Sequence, residues 1–285
     1  MHPPKIAADF LGPRRAGRRA VVVLSGGQDS FVTALLAKEW CDEVHAVHFA
    51  YGQRHAVEAD CAARIAADLQ LASFEALDLG VIKQVGNSAL VEGTTIAAKH
   101  GRAAHLPASF VPGRNILFLT AAAMVAFRVR ASELWTGVCQ TDYSGYTDCR
   151  EDFLGSMQTT LRHALDQSNA DTALRIVAPL LKLSKAETFM LAAERGRLDM
   201  LLEHTHTCYE GDRAHRNAWG YGCGACPACL LRVKGFEEFK ALARTPSTAL
   251  LMKRMQDAGF THDEVAEAVG LRVAYFTAHT AGGAT

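Results

Sequence analysis

Apolar residues recur along this chain in two rhythms, short continuous runs and stretches at helical spacing. The first run, from Ala20 to Leu24, is almost pure valine and leucine, as suits a strand buried on both faces. Residues 30–40 follow with Ala34, Leu35, Leu36 and Ala37 on one helical face. The alternation then repeats: strand 43–50, alanine-rich helix 56–70, strand 74–79, helix 115–130, strand 133–138, helix 153–165, strand 175–181 and helix 184–195. Strands alternating with helices predict βαβ units, right-handed crossovers and a mostly parallel sheet. Residues 80–112 are poorly periodic and predict a long loop over a site at the strands' carboxyl ends. Near the C-terminus, three short helices are expected at 250–258, 261–269 and 273–278, separated by Gly259 and Gly270.

The first strand runs directly into Ser25-Gly26-Gly27-Gln28-Asp29-Ser30. Two glycines let backbone N–H groups approach an anion with no Cβ in the way. Ser25 and Ser30 add hydroxyl donors, and the following helix turns its positive end to the same place. Asp29 can cap that helix or hold magnesium on phosphates. An ordinary strand-to-helix turn needs glycines, but not both serines and the aspartate in register. The lysine of a Walker loop is absent.

Other polar stretches fall at strand ends or helix starts. Tyr51-Gly52-Gln53-Arg54-His55 closes the second strand and suits a binding loop. Pro112-Gly113-Arg114-Asn115 sets a rigid turn that presents a forked cation at a helix N-terminus. From Asp142 to Arg150 come two carboxylates, two tyrosines and an arginine: Asp142, Tyr143, Tyr146, Asp148 and Arg150. Such a loop can stack a flat heterocycle and hold its edge with a carboxylate. Ser184 and Glu187 form a capping-box pair around Lys185, which can neutralise phosphate charge.

Thirty basic and thirty acidic residues cancel, so a strongly basic nucleic-acid footprint is absent. Residues 1–19 are basic without an apolar core, and a mobile tail rather than a signal peptide is expected. No run reaches bilayer-spanning length, so a cytoplasmic protein without membrane contact is expected. Of eight cysteines, four are scattered, while Cys208, Cys223, Cys226 and Cys229 gather in two overlapping CxxC steps preceded by a lone thiol. Four thiolates on tight turns suit a closed, tetrahedral structural zinc site, with an iron–sulfur cluster the alternative. His204, His206 or His215 can stand in for one ligand.

SGGQDS resembles the PP-loop of the ATP pyrophosphatases. With YGQRH, PGRN, TDYSGYTDCR, KAE and the clustered cysteines in that order, the stretch from about Ala20 to Gly235 resembles the 7-cyano-7-deazaguanine synthase family. The resemblance implies an α/β fold: a Rossmann-type parallel sheet with helices on both faces, a small zinc element and a helical C-terminal tail. It divides the chain into a basic tail (1–19), a nucleotide-binding and catalytic domain (20–203), a zinc-binding element (204–240) and an extension (241–285).

The implied reaction converts 7-carboxy-7-deazaguanine and free ammonia to the nitrile with ATP, through adenylated carboxylate and amide. ATP and magnesium would be held by Leu24, Ser25, Gly26, Gly27, Gln28, Asp29, Ser30 and Phe31. Arg114, Lys185 and Asp29 would stabilise charge, and the deazaguanine would meet Gln53, Arg54, Arg114, Asn115, Asp142, Tyr143, Tyr146, Asp148 and Arg150. A homodimer is implied, no membrane partner is expected, and a nucleic-acid partner is left open only for the C-terminal tail. Fourteen residues separate Cys208 from Cys223, more than expected of the family. His206, standing where the family usually has tryptophan, and the added tail from Ser247 favour an alternative: a related PP-loop enzyme that activates a deazaguanine acid or a tRNA base for transfer to or modification of a macromolecule. The 259–270 stretch is helix-turn-helix-like, but packing on the domain or a second subunit is expected of it.

Overall fold

The computed structural model describes residues 17–52, 57–85, 99–100, 103–107, 110–140, 146–166 and 173–244. Its centre is a five-stranded parallel sheet of β1 (Arg19–Val23), β2 (Glu43–Ala50), β3 (Ser73–Asp78), β6 (Glu133–Trp135) and β7 (Arg175–Val177). The spatial order is β3-β2-β1-β6-β7, so the chain reverses direction of travel between β1 and β6. That reversal opens a crevice beyond the strands' carboxyl ends. The expected α/β fold is present.

Side chains of β1 alternate between two cores. Ala20 and Val22 face one apolar cluster with α1 (Gln28–Trp40) and α2 (Val57–Asp68). Val21 faces the other, with α4 (Arg114–Arg128) and α5 (Glu151–Ala164). Burial on both faces explains the unbroken valine run. At the opposite, amino end of the sheet, the buried Glu133 accepts from Trp135 Nε1 at 2.9 Å and pairs with Arg18 at 3.3 Å and Arg175 at 3.5 Å. Arg19 opens β1 and Arg18 immediately precedes it, held by the buried Glu133 carboxylate, so the sheet and its partners begin before the expected boundary at 19.

Four expectations change. β6 and β7 are each three residues long, since the chain bends away after Trp135 and Val177 to line the crevice or enter a turn. The stretch read as one loop contains α3 (Val81–Val85) and a hairpin of β4 (Lys99–His100) with β5 (Ala103–Pro107). After α6 (Lys185–Glu194), which has the expected Ser184–Glu187 capping box, comes an unforeseen α7 (Leu198–His204). The residues between Cys208 and Cys223 make a small hairpin, β8 (Arg216–Asn217) and β9 (Gly220–Tyr221), before the long α8 (Pro227–Arg244). Residues 1–16 and the expected helices beyond 245 lie outside the described residues.

Candidate active site and metal-binding element

A cavity of about 310 Å³ opens at the topological switch point, lined by the ends of β1 and β2, the segment after β6 and the loop before Cys208. One end is the Ser25–Ser30 turn. Gly26 has φ +90°, and a Cβ there would fall 2.3 Å from the Glu58 carbonyl of α2, so this position requires glycine. Ser25 Oγ accepts from Gly27 N at 3.3 Å and donates to Ser30 Oγ at 3.0 Å, which donates to the Gly27 carbonyl at 3.0 Å. These bonds hold the turn while the first-turn N–H groups of α1 have no intrahelical acceptor. The helix N-cap is Gly27 with no side-chain cap, so Asp29 does not serve as one.

Asp29 instead pairs with Lys185 Nζ at 2.6 Å, bringing together two residues 156 positions apart. Its other oxygen, Oδ1, is buried without a hydrogen-bond partner. Gln28 turns inward: wholly buried, its amide donates to Thr188 Oγ1 at 2.7 Å and to the Lys185 carbonyl at 3.4 Å. It is a strut between α1 and α6. Phe31 is a wholly buried core residue of α1 and lines none of the cavity. Leu24, Ser25, Gly27, Gln28, Asp29 and Ser30 line it.

The other end is aromatic. The Arg114 guanidinium lies 6.0 Å from the Tyr51 ring centroid, 5.8 Å from Phe118 and 5.9 Å from Tyr146. Burial alone would lower its pKa, but the Tyr51 and Tyr146 phenols and the Asp148 carboxyl outweigh it, so the group stays protonated. Arg114 Nε is buried without a partner, a donor open to a ligand oxygen. Asn115 donates through Nδ2 to the Asp148 carbonyl at 3.0 Å and through its backbone N–H to Asp148 Oδ2 at 3.4 Å. Burial raises the Asp148 pKa, more than Arg114 and Asn115 lower it.

Arg150 is exposed at the N-cap of α5 and does not line the cavity. Gln53, Arg54, Asp142 and Tyr143 lie outside the described residues.

Tyr51, the first residue of the binding loop read after the second strand, lines the cavity, and so do His48, Thr207 and Tyr209, which the motifs do not single out. Tyr209 follows the first clustered cysteine, so position along the chain is the available signal for it. His48 Nδ1 lies 3.0 Å from the Leu24 carbonyl, which fixes the proton on Nδ1. Burial lowers its pKa and keeps the ring neutral.

Behind the cavity, the sulfurs of Cys208, Cys223, Cys226 and Cys229 all lie within 4.8 Å of one another. Cys223–Cys229 and Cys208–Cys226 are 3.9 and 4.0 Å apart. A tetrahedral ion with ~2.3 Å bonds to sulfur demands edges of about 3.8 Å, so the donor set fits zinc-like coordination. Cys226 ionises most readily, at about 5, because the Cys229 thiol donates to it and backbone N–H groups of Cys229 and Tyr209 add to that. Among the described residues no histidine joins the group. His206 instead donates its backbone N–H to the Gly26 carbonyl at 2.9 Å, joining the cysteine segment to the phosphate-loop turn. No helix among the described residues is long and apolar enough to cross a membrane.

The family model described as "Queuosine biosynthesis protein QueC" matches residues 19–240. A 7-cyano-7-deazaguanine synthase from Helicobacter pylori strain J99 is 45% identical over 224 residues, covering 78% of this chain and 97% of that protein. One from Polaromonas sp. strain JS666 is 43% identical over 239 residues, covering 80% and 98%. Among solved structures, an NH3-dependent NAD synthetase from Campylobacter jejuni is 17% identical with a TM-score of 0.38, covering 90% of this chain and 94% of that one.

Proposed function

The chain belongs to the QueC family of queuosine biosynthesis proteins, and from that premise we propose that its cavity is the active site of a 7-cyano-7-deazaguanine synthase. The observation that carries this reading is one cavity with an anion-binding turn at one end and a buried, ring-enclosed arginine at the other.

ATP enters with its phosphates on the Ser25–Ser30 turn and the N-terminus of α1. The carboxylate of 7-carboxy-7-deazaguanine attacks the α-phosphorus, forming an acyl-adenylate and releasing pyrophosphate. Ammonia displaces AMP to give the amide. The amide oxygen then attacks the α-phosphorus of a second ATP, releasing a second pyrophosphate, and loss of AMP with the remaining N–H protons leaves the nitrile. No protein nucleophile is needed. The chain contributes placement and charge: Lys185 toward the pyrophosphate, Arg114 toward the carboxylate or α-phosphate, and the Tyr51 and Tyr146 rings along the flat base. Asp148, Asn115 and, from the sequence alone, Gln53, Arg54, Asp142 and Tyr143 complete the base-reading set.

Asp29 Oδ1, buried and unpartnered, is the group that would hold magnesium, which neutralises phosphate charge when bound. The four cysteines would hold zinc with every coordination position filled by protein, so that metal serves structure. The exposed Ile116, Met124 and Phe127 on one side of α4 support a homodimer, and the absence of any membrane-crossing helix among the described residues suits the cytoplasm.

The test incubates purified protein with ATP, magnesium, ammonium and 7-carboxy-7-deazaguanine and follows products by mass spectrometry. Nitrile is expected, with two AMP per turnover. Adenylate or amide accumulating without nitrile would overturn the reading in favour of an enzyme that passes the activated acid to another acceptor.

A further inference from the structure

Arg232 is among the largest wholly buried side chains of the protein, 1% exposed, in the interior of α8. Its guanidinium donates to three neutral oxygens: the Trp219 carbonyl at 2.8 Å, the Leu201 carbonyl at 3.2 Å and Thr207 Oγ1 at 3.4 Å. Among the described residues no carboxylate forms an ion pair with it. The carboxylate that acts on it is Asp29, which is already paired with Lys185, while Arg213 and Arg216 act against its charge. Burial lowers its pKa to about 10, so it remains cationic at neutral pH. An isolated buried cation is costly unless a counter-charge lies near it.

The cysteine cluster supplies one. Cys229, wholly buried, sits three residues before Arg232 on α8, one helical turn away on the same face. Four thiols that bind a divalent ion become four thiolates, so the occupied site has a net charge of about −2. The three oxygens that Arg232 holds belong to separate pieces: α7, the turn of the β8–β9 hairpin and the segment after His206. Thr207 lines the cavity, and its methyl group lies 3.6 Å from where a Cβ on Gly27 would be. Gly220, at φ +108°, leaves the space that the fork occupies: a Cβ there would fall 2.7 Å from Arg232 Nη2.

We propose that Arg232 is a positioning residue whose buried charge is balanced by the metal–tetrathiolate group and which, through Thr207, makes the phosphate-loop end of the cavity depend on metal occupancy. The proposal deepens the zinc and ATP readings above and rests on them.

The experiment compares the full-length zinc-loaded protein with Arg232→Gln, Arg232→Lys and Thr207→Val. Zinc retention is read by transfer to a chromogenic chelator, and nucleotide affinity by titration with a fluorescent ATP analogue. Arg232→Gln should give up zinc about 10- to 100-fold more readily, the range for partners that orient metal ligands. Arg232→Lys keeps the charge and should hold zinc nearly as the parent does, yet bind the nucleotide several-fold more weakly, because one ammonium cannot serve three fixed acceptors. Thr207→Val should keep zinc and also weaken the nucleotide. Zinc lost equally from the glutamine and lysine variants would overturn the charge-balance half, and unchanged nucleotide affinity in Arg232→Lys and Thr207→Val would overturn the coupling half. Should Arg232→Gln fail to fold, the lysine and valine variants decide both halves against the parent. A parent that holds no metal at all would instead sink the zinc reading on which the proposal stands.

Discussion

Asp148 lies buried beneath the first turn of α4, accepting from Asn115 N at 3.4 Å. Because burial raises its pKa in the folded protein, the native state holds its proton more tightly than the unfolded chain does. The cost of keeping it ionised therefore grows as pH rises from the unfolded value through the folded one. At neutral pH, Asp148→Asn should melt at or above the parent temperature, with the gap closing on acidification. If Asp148 holds the substrate, turnover should fall about tenfold or more, as loss of a charged hydrogen bond implies. Thermal unfolding across pH with steady-state kinetics checks both; a variant that melts lower and turns over normally would make Asp148 purely structural. At this scale a residue inside a motif can line the cavity and carry a structural task as well. Gln28 sits in the middle of SGGQDS, yet its amide is spent on Thr188, a contact between residues 160 positions apart that no local pattern announces.

The crossing of α8 over the start of α6 shows what an element-level contact demands. Gly235 lies inside α8, where alanine would ordinarily be favoured by about 1 kcal/mol. Here a Cβ would fall 2.6 Å from Lys185 Cβ and 3.1 Å from the Lys185 carbonyl carbon. Gly235→Ala should therefore destabilise the protein by about 1–3 kcal/mol, the usual cost of overpacking, and raise the KM for ATP by moving Lys185 away from Asp29. Chemical denaturation and ATP kinetics test this, and a variant more stable than the parent would show that the helices can yield. The long elements were legible because burial imposes a period on them: β2 spans Glu43–Ala50, as its apolar run indicates. α3, the β4–β5 hairpin and α7 were not, since elements of two to seven residues have too few turns or alternations to set a pattern above their surroundings.

For the whole molecule, the element that carries the four clustered cysteines packs into the main core. Cys208, Cys226, Cys229 and Trp219 belong to the same apolar cluster as Ala20 and Val22 of β1 and Phe31 of α1. Metal removal should then weaken the entire fold. A strong chelator is expected to lower the melting temperature by at least about 5 °C, in one cooperative transition. An unchanged midpoint would exclude a structural metal, and two separate transitions would mean that the element melts by itself.

By itself the sequence determined the order of the sheet strands and the long helices, the turn that can cradle an anion and the clustering of the four thiols. Each depends on residue types at short spacing, where local geometry follows from covalent structure and burial period. Only the tertiary structure decided that Lys185 meets Asp29, that Arg114 sits among Tyr51, Phe118 and Tyr146, and that Arg232 bridges α7, the hairpin and the cavity wall. Those pairings join residues far apart in the chain. They follow from which helix packs on which face of the sheet, and no local spacing encodes that choice.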